Sequence, residues 1–236
     1  MRVILTFSRD EAITIPADYR RRFISLLKEA LMDEYPDLYK NGVIKPYTFA
    51  VVLNMGSKFS KEKVQNVRTV IFKFSTGSGD IFGSVLNFAI RMINKGGGIS
   101  FGKDAPTFPL REINTKIETP KGKRFKTLSP IVVNNPSGNP KNPKEHFIIP
   151  RENGYEERLF ETLKERMEGI TGKTPYKLEF KADKVKEVFV KHYGGFVRGF
   201  VGSFEVEADP ETLRFIYDYG LGIRTGQGFG MVDYEL

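Results

Sequence analysis

The sequence predicts an α+β protein made of two tandem ferredoxin-like (RRM-like, βαββαβ) domains. Three observations predict it. Apolar alternation and helical spacing follow the order strand, helix, strand, strand, helix, strand over residues 1–118, and the same order returns over residues 127–236. Between them lies a basic stretch containing Gly and Pro, residues 119–126, which reads as a connector. The 236 residues are 40% hydrophobic and include 20 Phe and 10 Tyr, enough bulky side chains for two small cores.

In the first half, Val3, Leu5 and Phe7 alternate with Ile4, Thr6 and Ser8, as in an opening strand with one face buried. Pro16 opens a predicted helix over 16–35, with Phe23, Leu26, Leu27, Ala30 and Leu31 on one side. Arg20, Arg21, Arg22 and Lys28 occupy its other side, available to phosphates or simply to water. Residues 47–55 and 67–74, aromatic and β-branched, pair as a hairpin across the polar stretch 56–65. Helical spacing resumes over 80–93 through Ile81, Val85, Leu86, Phe88, Ala89 and Ile93, and the run Gly96, Gly97, Gly98 stops it. Residues 111–118 supply the fourth strand.

The second half begins with a predicted strand at 128–133 and a Pro-, Asn-, Gly- and Ser-rich loop at 136–144. A helix over 154–167 carries Leu159, Phe160, Leu163 and Met167 on one face. Residues 184–193 and 196–207 form a hairpin around Gly194 and Gly195. A helix follows over 209–219, with Asp209 as N-cap, Pro210 at the first helical position and Glu211 in the first turn. Residues 231–236 close the unit as a strand.

Composition bounds the chemistry. There is no Cys, which excludes disulfides, thiolate metal sites and cysteine nucleophiles. Lys and Arg number 37 against 29 Asp and Glu, a formal charge of +8 that suits a polyanionic partner. The N-terminus meets charge within ten residues and no apolar run approaches a membrane span, so the sequence predicts a cytoplasmic protein without a signal peptide or membrane anchor.

The most specific segment lies between the last helix and the last strand, residues 220–230: Gly220, Leu221, Gly222, Ile223, Arg224, Thr225, Gly226, Gln227, Gly228, Phe229 and Gly230. Glycines at this density either present backbone N–H groups to a phosphate and admit nucleic acid close to the chain, or satisfy a tight connector with unusual torsions. A dinucleotide-binding reading does not fit, because that fingerprint follows a strand and opens a helix. The loop, with its Gly-Phe-Gly ending and the following Met-Val, resembles the C-terminal glycine-rich loop of the CRISPR-associated RAMP proteins, specifically the Cas-six repeat-RNA endoribonucleases. Thr127, Leu128, Ser129, Pro130 and Ile131 resemble the segment that opens the second domain of that family.

The resemblance implies a protein that binds CRISPR repeat RNA and cuts it once, without metal or cofactor, by attack of a ribose 2′-OH on the adjacent phosphate. The products would be a cyclic phosphate and a 5′-OH. Such chemistry asks for a base, an acid and a cation for the phosphorane. In the family a His typically stands in the loop after the first helix, here residues 39–46, and no His is present there; the chain has only His146 and His192. Lys45 matches a family lysine, Lys28 falls where some members carry a catalytic tyrosine, and Tyr39 is available for proton transfer, so these three are the implied catalytic residues. The implied RNA contacts are Lys121, Lys123, Arg124 and Lys126 in the connector, Lys191 and Arg198 in the second hairpin, and Gly222, Arg224, Gly226 and Gly228 in the loop. The missing His keeps alternatives open: a non-catalytic repeat-RNA-binding paralogue, or a RAMP subunit of a CRISPR effector complex. Partners would then be repeat RNA and other Cas proteins, with the chain acting as a monomer or homodimer.

Overall fold

The computed structural model describes residues 1–119 and 122–235. In the first unit β1 (Arg2–Pro16) leads to α1 (Arg20–Leu31), a 3-10 turn (Pro36–Tyr39), β2 (Thr48–Leu53), β3 (Lys58–Phe59), β4 (Lys63–Ser75), α2 (Gly79–Asn94), β5 (Gly98–Ile99) and β6 (Phe108–Lys116). The sheet order is β2-β4-β1-β6-β5, with β3 paired to β4. The second unit contains β7 (Arg124–Thr127), β8 (Val133–Asn134), α3 (Pro143–His146), β9 (Phe147–Ile148), α4 (Tyr155–Thr171), β10 (Glu179–His192), β11 (Gly195–Glu207), α5 (Pro210–Tyr219), a 3-10 turn (Thr225–Gln227) and β12 (Val232–Tyr234). Its main sheet runs β10-β11-β7-β12. The four principal strands of each sheet thus share one spatial order, in which the first and third strands of the βαββαβ run are central. This is the tandem ferredoxin-like fold that the sequence predicts. Among the described residues no helix is long and apolar enough to cross a membrane.

Local chemistry explains the elements. In α1 the buried residues are Phe23, Leu26, Leu27, Ala30 and Leu31, the stripe read from the sequence. Phe23 stacks on Phe72 of β4 at 4.9 Å, which ties the helix to the sheet. Ser78 caps α2 by accepting from the Ile81 amide, and Asp209 caps α5 by accepting from the Thr212 amide at 2.8 Å, with Pro210 opening that helix.

Three expectations are corrected. Pro16 ends β1 and does not open the helix, because the second half of β1 pairs with the start of β4 through Ile13↔Val67, Ile15↔Val64 and Pro16↔Lys63. The helix starts only at Arg20. Next, the strand expected over 128–133 lies earlier, at Arg124–Thr127, hydrogen-bonded to β11 on one side and β12 on the other. Pro130 has no N–H to give a ladder; beyond it Ile131 makes an isolated bridge to Phe200, and Val133 pairs away from the main sheet, with Ile148 of β9. The last residues of the supposed connector are therefore a central strand, whose Phe125 is wholly buried against Phe204. Finally, β10 begins at Glu179, five residues before its expected start, in register with Glu207 of β11.

The two units are joined by buried polar contacts. Arg2 is 3% exposed; it donates to the Val232 carbonyl at 2.6 Å, pairs with Asp233 at 3.2 Å and lies 3.8 Å from the centre of the Tyr217 ring. The Thr48 hydroxyl donates to the Phe229 carbonyl at 3.0 Å, and the Ser129 hydroxyl to the Phe49 carbonyl at 3.3 Å. On another side Asp18 accepts from the Tyr193 amide at 2.9 Å, at the tip of the β10–β11 hairpin. These contacts seat the glycine-rich loop against the start of β2.

Candidate nucleic-acid interface

The glycine-rich loop is mostly buried, and its glycines serve close packing. A Cβ on Gly222 would stand 2.3 Å from the Val132 carbonyl oxygen, and one on Gly228 would stand 2.7 Å from the Phe49 ring. Gly226 is pressed against the other unit, where a Cβ would meet Lys45 Cγ at 2.6 Å and Lys45 Cβ at 2.8 Å. Gly222 and Gly228 also have φ of 81° and 89°, which a side chain would strain. Of the two sequence readings of the loop, the tight connector describes these three positions, and the connector joins both units.

Arg166 of α4 braces that loop from below. Its guanidinium donates to the carbonyls of Gly220 and Tyr219, both at 2.7 Å, and to the Thr225 hydroxyl at 3.1 Å. It is 6% exposed and has no carboxylate partner among the described residues, and burial pulls its pKa down to about 10. Sequence reasoning missed it, because an Arg within a Glu-rich amphipathic helix, like Arg158 two turns earlier, looks like any solvated face residue. Arg224, in the left-handed region at φ 60°, reaches Gln227 Oε1 at 3.3 Å and lies 5.7 Å from the Phe147 ring centre. Partial burial lowers its pKa too.

Facing the loop is the segment from Tyr39 to Tyr47. The two walls enclose a cleft of about 650 Å³ whose lining includes Tyr39, Lys45, Arg166, Arg224 and Gly226. The implied catalytic residues meet around one ring: Lys28 Nζ lies 6.0 Å and Lys45 Nζ 5.7 Å from the centre of Tyr39. Lys45 also donates to the Val43 carbonyl at 3.1 Å, and burial lowers its pKa. Proton transfer by Tyr39 is disfavoured. Its hydroxyl already donates to the Leu27 carbonyl at 2.9 Å, and burial raises its pKa against the opposing effect of the Tyr47 hydroxyl. Glu165 is the one carboxylate among the lining residues, and it stands 3.5 Å from Arg158. The cleft therefore holds Lys45, Arg166 and Arg224, none with an acidic partner among the described residues.

The other RNA-contact residues are placed less uniformly. Lys121 lies outside the described residues. Lys123 pairs with Glu207 at 2.5 Å, and Arg124 on β7 is shared among Asp183, Glu205 and Glu235. Lys126 is exposed without a carboxylate partner among the described residues, close enough to Lys73 to lower the latter's pKa after burial has done most of that work. Lys191 pairs with Glu62 across the two units. Arg198, 6% exposed, spends its guanidinium on Glu152 at 2.7 Å, Glu187 at 2.5 Å and the Phe147 carbonyl at 2.9 Å. Its position within the wall of the second unit leaves it no free edge for a phosphate.

Neither His lines the cleft. The His192 side chain is fully buried, 3.1 Å from Gln227 Oε1 through Nε2 and 3.4 Å from Asp18 Oδ1 through Nδ1. Burial lowers its pKa, with Gln227 and Asp18 opposing and Arg224 and Arg20 reinforcing. It joins the hairpin, the loop and the first unit. His146 packs edge-on against Phe147, 4.5 Å between ring centres.

Comparison with known proteins fits this architecture. The family model described as "CRISPR associated protein Cas6, C-terminal" matches residues 113–234, just over half of the chain. A curated CRISPR-associated endoribonuclease-like protein, Cas6nc of Pyrococcus horikoshii, is 31% identical over 125 residues, 52% of each chain. A Cas6 endoribonuclease-like protein of Pyrococcus furiosus is 30% identical over 112 residues, 46% of each chain. The chain thus spans about half the length of the curated relatives it matches. Among solved structures, a Cas6-related protein from Pyrococcus furiosus superposes with a TM-score of 0.84 at 21% identity, covering 100% of this chain and 98% of that one. A RAMP protein described as binding different RNA substrates gives 0.82 at 22% identity, with 100% coverage of both chains. At these identities the two structures speak for the fold, and the matched C-terminal half, with its glycine-rich loop, shows that the chain belongs to the CRISPR-associated Cas6 family.

Proposed function

We propose that the protein binds CRISPR repeat RNA with a backbone phosphate seated in the cleft between the Tyr39–Tyr47 segment and the glycine-rich loop, and cleaves it there. One observation carries this reading: Lys45 and Arg224 line one cleft without acidic partners among the described residues, backed by the buried charge of Arg166, which is a place for an anion. In the reaction the 2′-oxygen bonds to the adjacent phosphorus as the bond to the 5′-oxygen breaks, leaving a cyclic phosphate and a 5′-OH. Lys45 stabilises the phosphorane charge and, with its pKa lowered, supplies the proton to the departing 5′-oxygen. Lys28 adds charge from across the Tyr39 ring, and Tyr39 positions both lysines. The 2′-OH proton leaves to water, so the rate rests on orientation and electrostatics and is slow at neutral pH.

The specific observation that favours a second reading is that no His, the usual proton-transfer side chain, is among the residues lining the cleft. On that reading the chain holds repeat RNA for other Cas proteins without cutting. One experiment separates the two. End-labelled repeat RNA is incubated with excess protein in EDTA, alongside copies carrying a single 2′-deoxy substitution at each candidate position. Cleavage blocked by one deoxy position, and lost in Lys45→Ala, supports the nuclease. Tight binding with no product at any position rejects it in favour of the binder.

A further inference from the structure

A second concavity, of about 530 Å³, is lined by Arg20, whose side chain also lies against Gly228 of the glycine-rich loop. Three strands each contribute a phenyl ring to it: Phe59 from β3, Phe189 from β10 and Phe196 from β11. These rings are 65%, 44% and 40% exposed, and among the described residues none packs against another aromatic ring. Three exposed rings at one place call for a partner.

The charged groups around the groove indicate its chemistry. Arg20 and Lys61 line it without carboxylate partners among the described residues. Arg20 Nε is buried with no hydrogen-bond partner, and its guanidinium carbon stands 4.9 Å from the Tyr19 ring centre. Lys191 also lines the groove, paired with Glu62. Exposed aromatic faces interleaved with unpaired cations suit bases joined by phosphates, whereas an apolar protein segment would leave the cations unanswered. Arg20 also connects the two places, because a Cβ on Gly228 would stand 3.2 Å from Arg20 Cδ.

We propose that this groove binds unpaired nucleotides, stacking bases on Phe59, Phe189 and Phe196 and seating phosphates on Arg20 and Lys61. The inference rests on the reading that the protein binds RNA in the neighbouring cleft, and extends it to a single-stranded subsite. Stacking is tolerant of base identity but favours purines, so the groove supplies affinity for an unpaired flank and no sequence code.

The test measures fluorescence anisotropy of labelled oligoadenylate, oligouridylate and repeat RNA with the full chain and its Phe59→Ala, Phe189→Ala and Phe59→Trp variants. Because the rings are exposed, melting temperatures should match the wild type. The expected result is adenylate bound more tightly than uridylate, a roughly tenfold loss of adenylate affinity in each Ala variant, and retention in Phe59→Trp. The slope of log affinity against log salt should stay unchanged, since no phosphate contact is removed. Repeat RNA and oligoadenylate bound equally by wild type and Ala variants would overturn the groove while leaving the cleft reading intact. Phe-dependent adenylate binding without repeat binding would do the reverse, and no binding of any probe would overturn both.

Discussion

Replacing Gly226 with Ala tests whether the glycine-rich loop sets the position of Lys45. The new methyl would lie 2.6 Å from Lys45 Cγ and 2.8 Å from Lys45 Cβ. The Cβ is fixed by the backbone, so rotating the side chain cannot clear the contact. Reaching ordinary carbon–carbon contact requires Lys45 and its segment to retreat by on the order of 1 Å. A shift of that size at a group stabilising a transition state costs about 100-fold in rate. Stability should fall by no more than about 2 kcal/mol. Gly226 is not in the left-handed region, so Ala gains about 0.4–1 kcal/mol from the unfolded chain, against about 1–3 kcal/mol of overpacking. Single-turnover cleavage of repeat RNA, with urea denaturation on the same samples, reads both quantities. Cleavage within a few-fold of wild type would refute the argument that the loop positions Lys45. A stability loss much beyond 2 kcal/mol would refute the estimate that the joint can give way.

Arg166→Met leaves the carbonyls of Gly220 and Tyr219 and the Thr225 hydroxyl unsatisfied, at about 1–3 kcal/mol each, but relieves the burial of an uncompensated guanidinium; a net loss of about 2–4 kcal/mol in urea denaturation is expected. The buried His192 has a pKa below that of an unfolded-chain His, so the unfolded state takes up more protons as pH falls below about 6.5. Stability should therefore rise with pH through the window between the lowered pKa and 6.5 and decline on acidification. His192→Gln should flatten that dependence, with Asp18, Arg224 and Arg20 left in place. Lys45 loses its charge at lower pH than an ordinary lysine, so the alkaline limb of the cleavage–pH profile should fall below pH 10.5 and move upward in Lys45→Arg.

Much of the fold was legible because it rests on periodicity. The α1 stripe, the Asp209 cap and the repeated βαββαβ order depend on residues a few positions apart, and short-range patterns survive in a sequence. Where the reading slipped, pairing over long distances decided the outcome. Pro16 resembles a helix opener until Lys63 pairs with it, and Arg124–Thr127 resembles a basic linker until β11 and β12 flank it.

By itself the sequence determined the tandem ferredoxin-like class, the absence of cysteine chemistry, the basic balance and the family resemblance carried by the glycine-rich loop. Only the tertiary structure decided which charges are free. Lys45 and Arg224 look no different in the chain from Lys123 and Arg198, yet the former line a cleft without acidic partners while the latter are held by Glu207, Glu152 and Glu187. The cause is physical: whether a cation can meet a phosphate depends on which carboxylates fold brings within about 4 Å of it, and those carboxylates come from strands and helices far away in sequence.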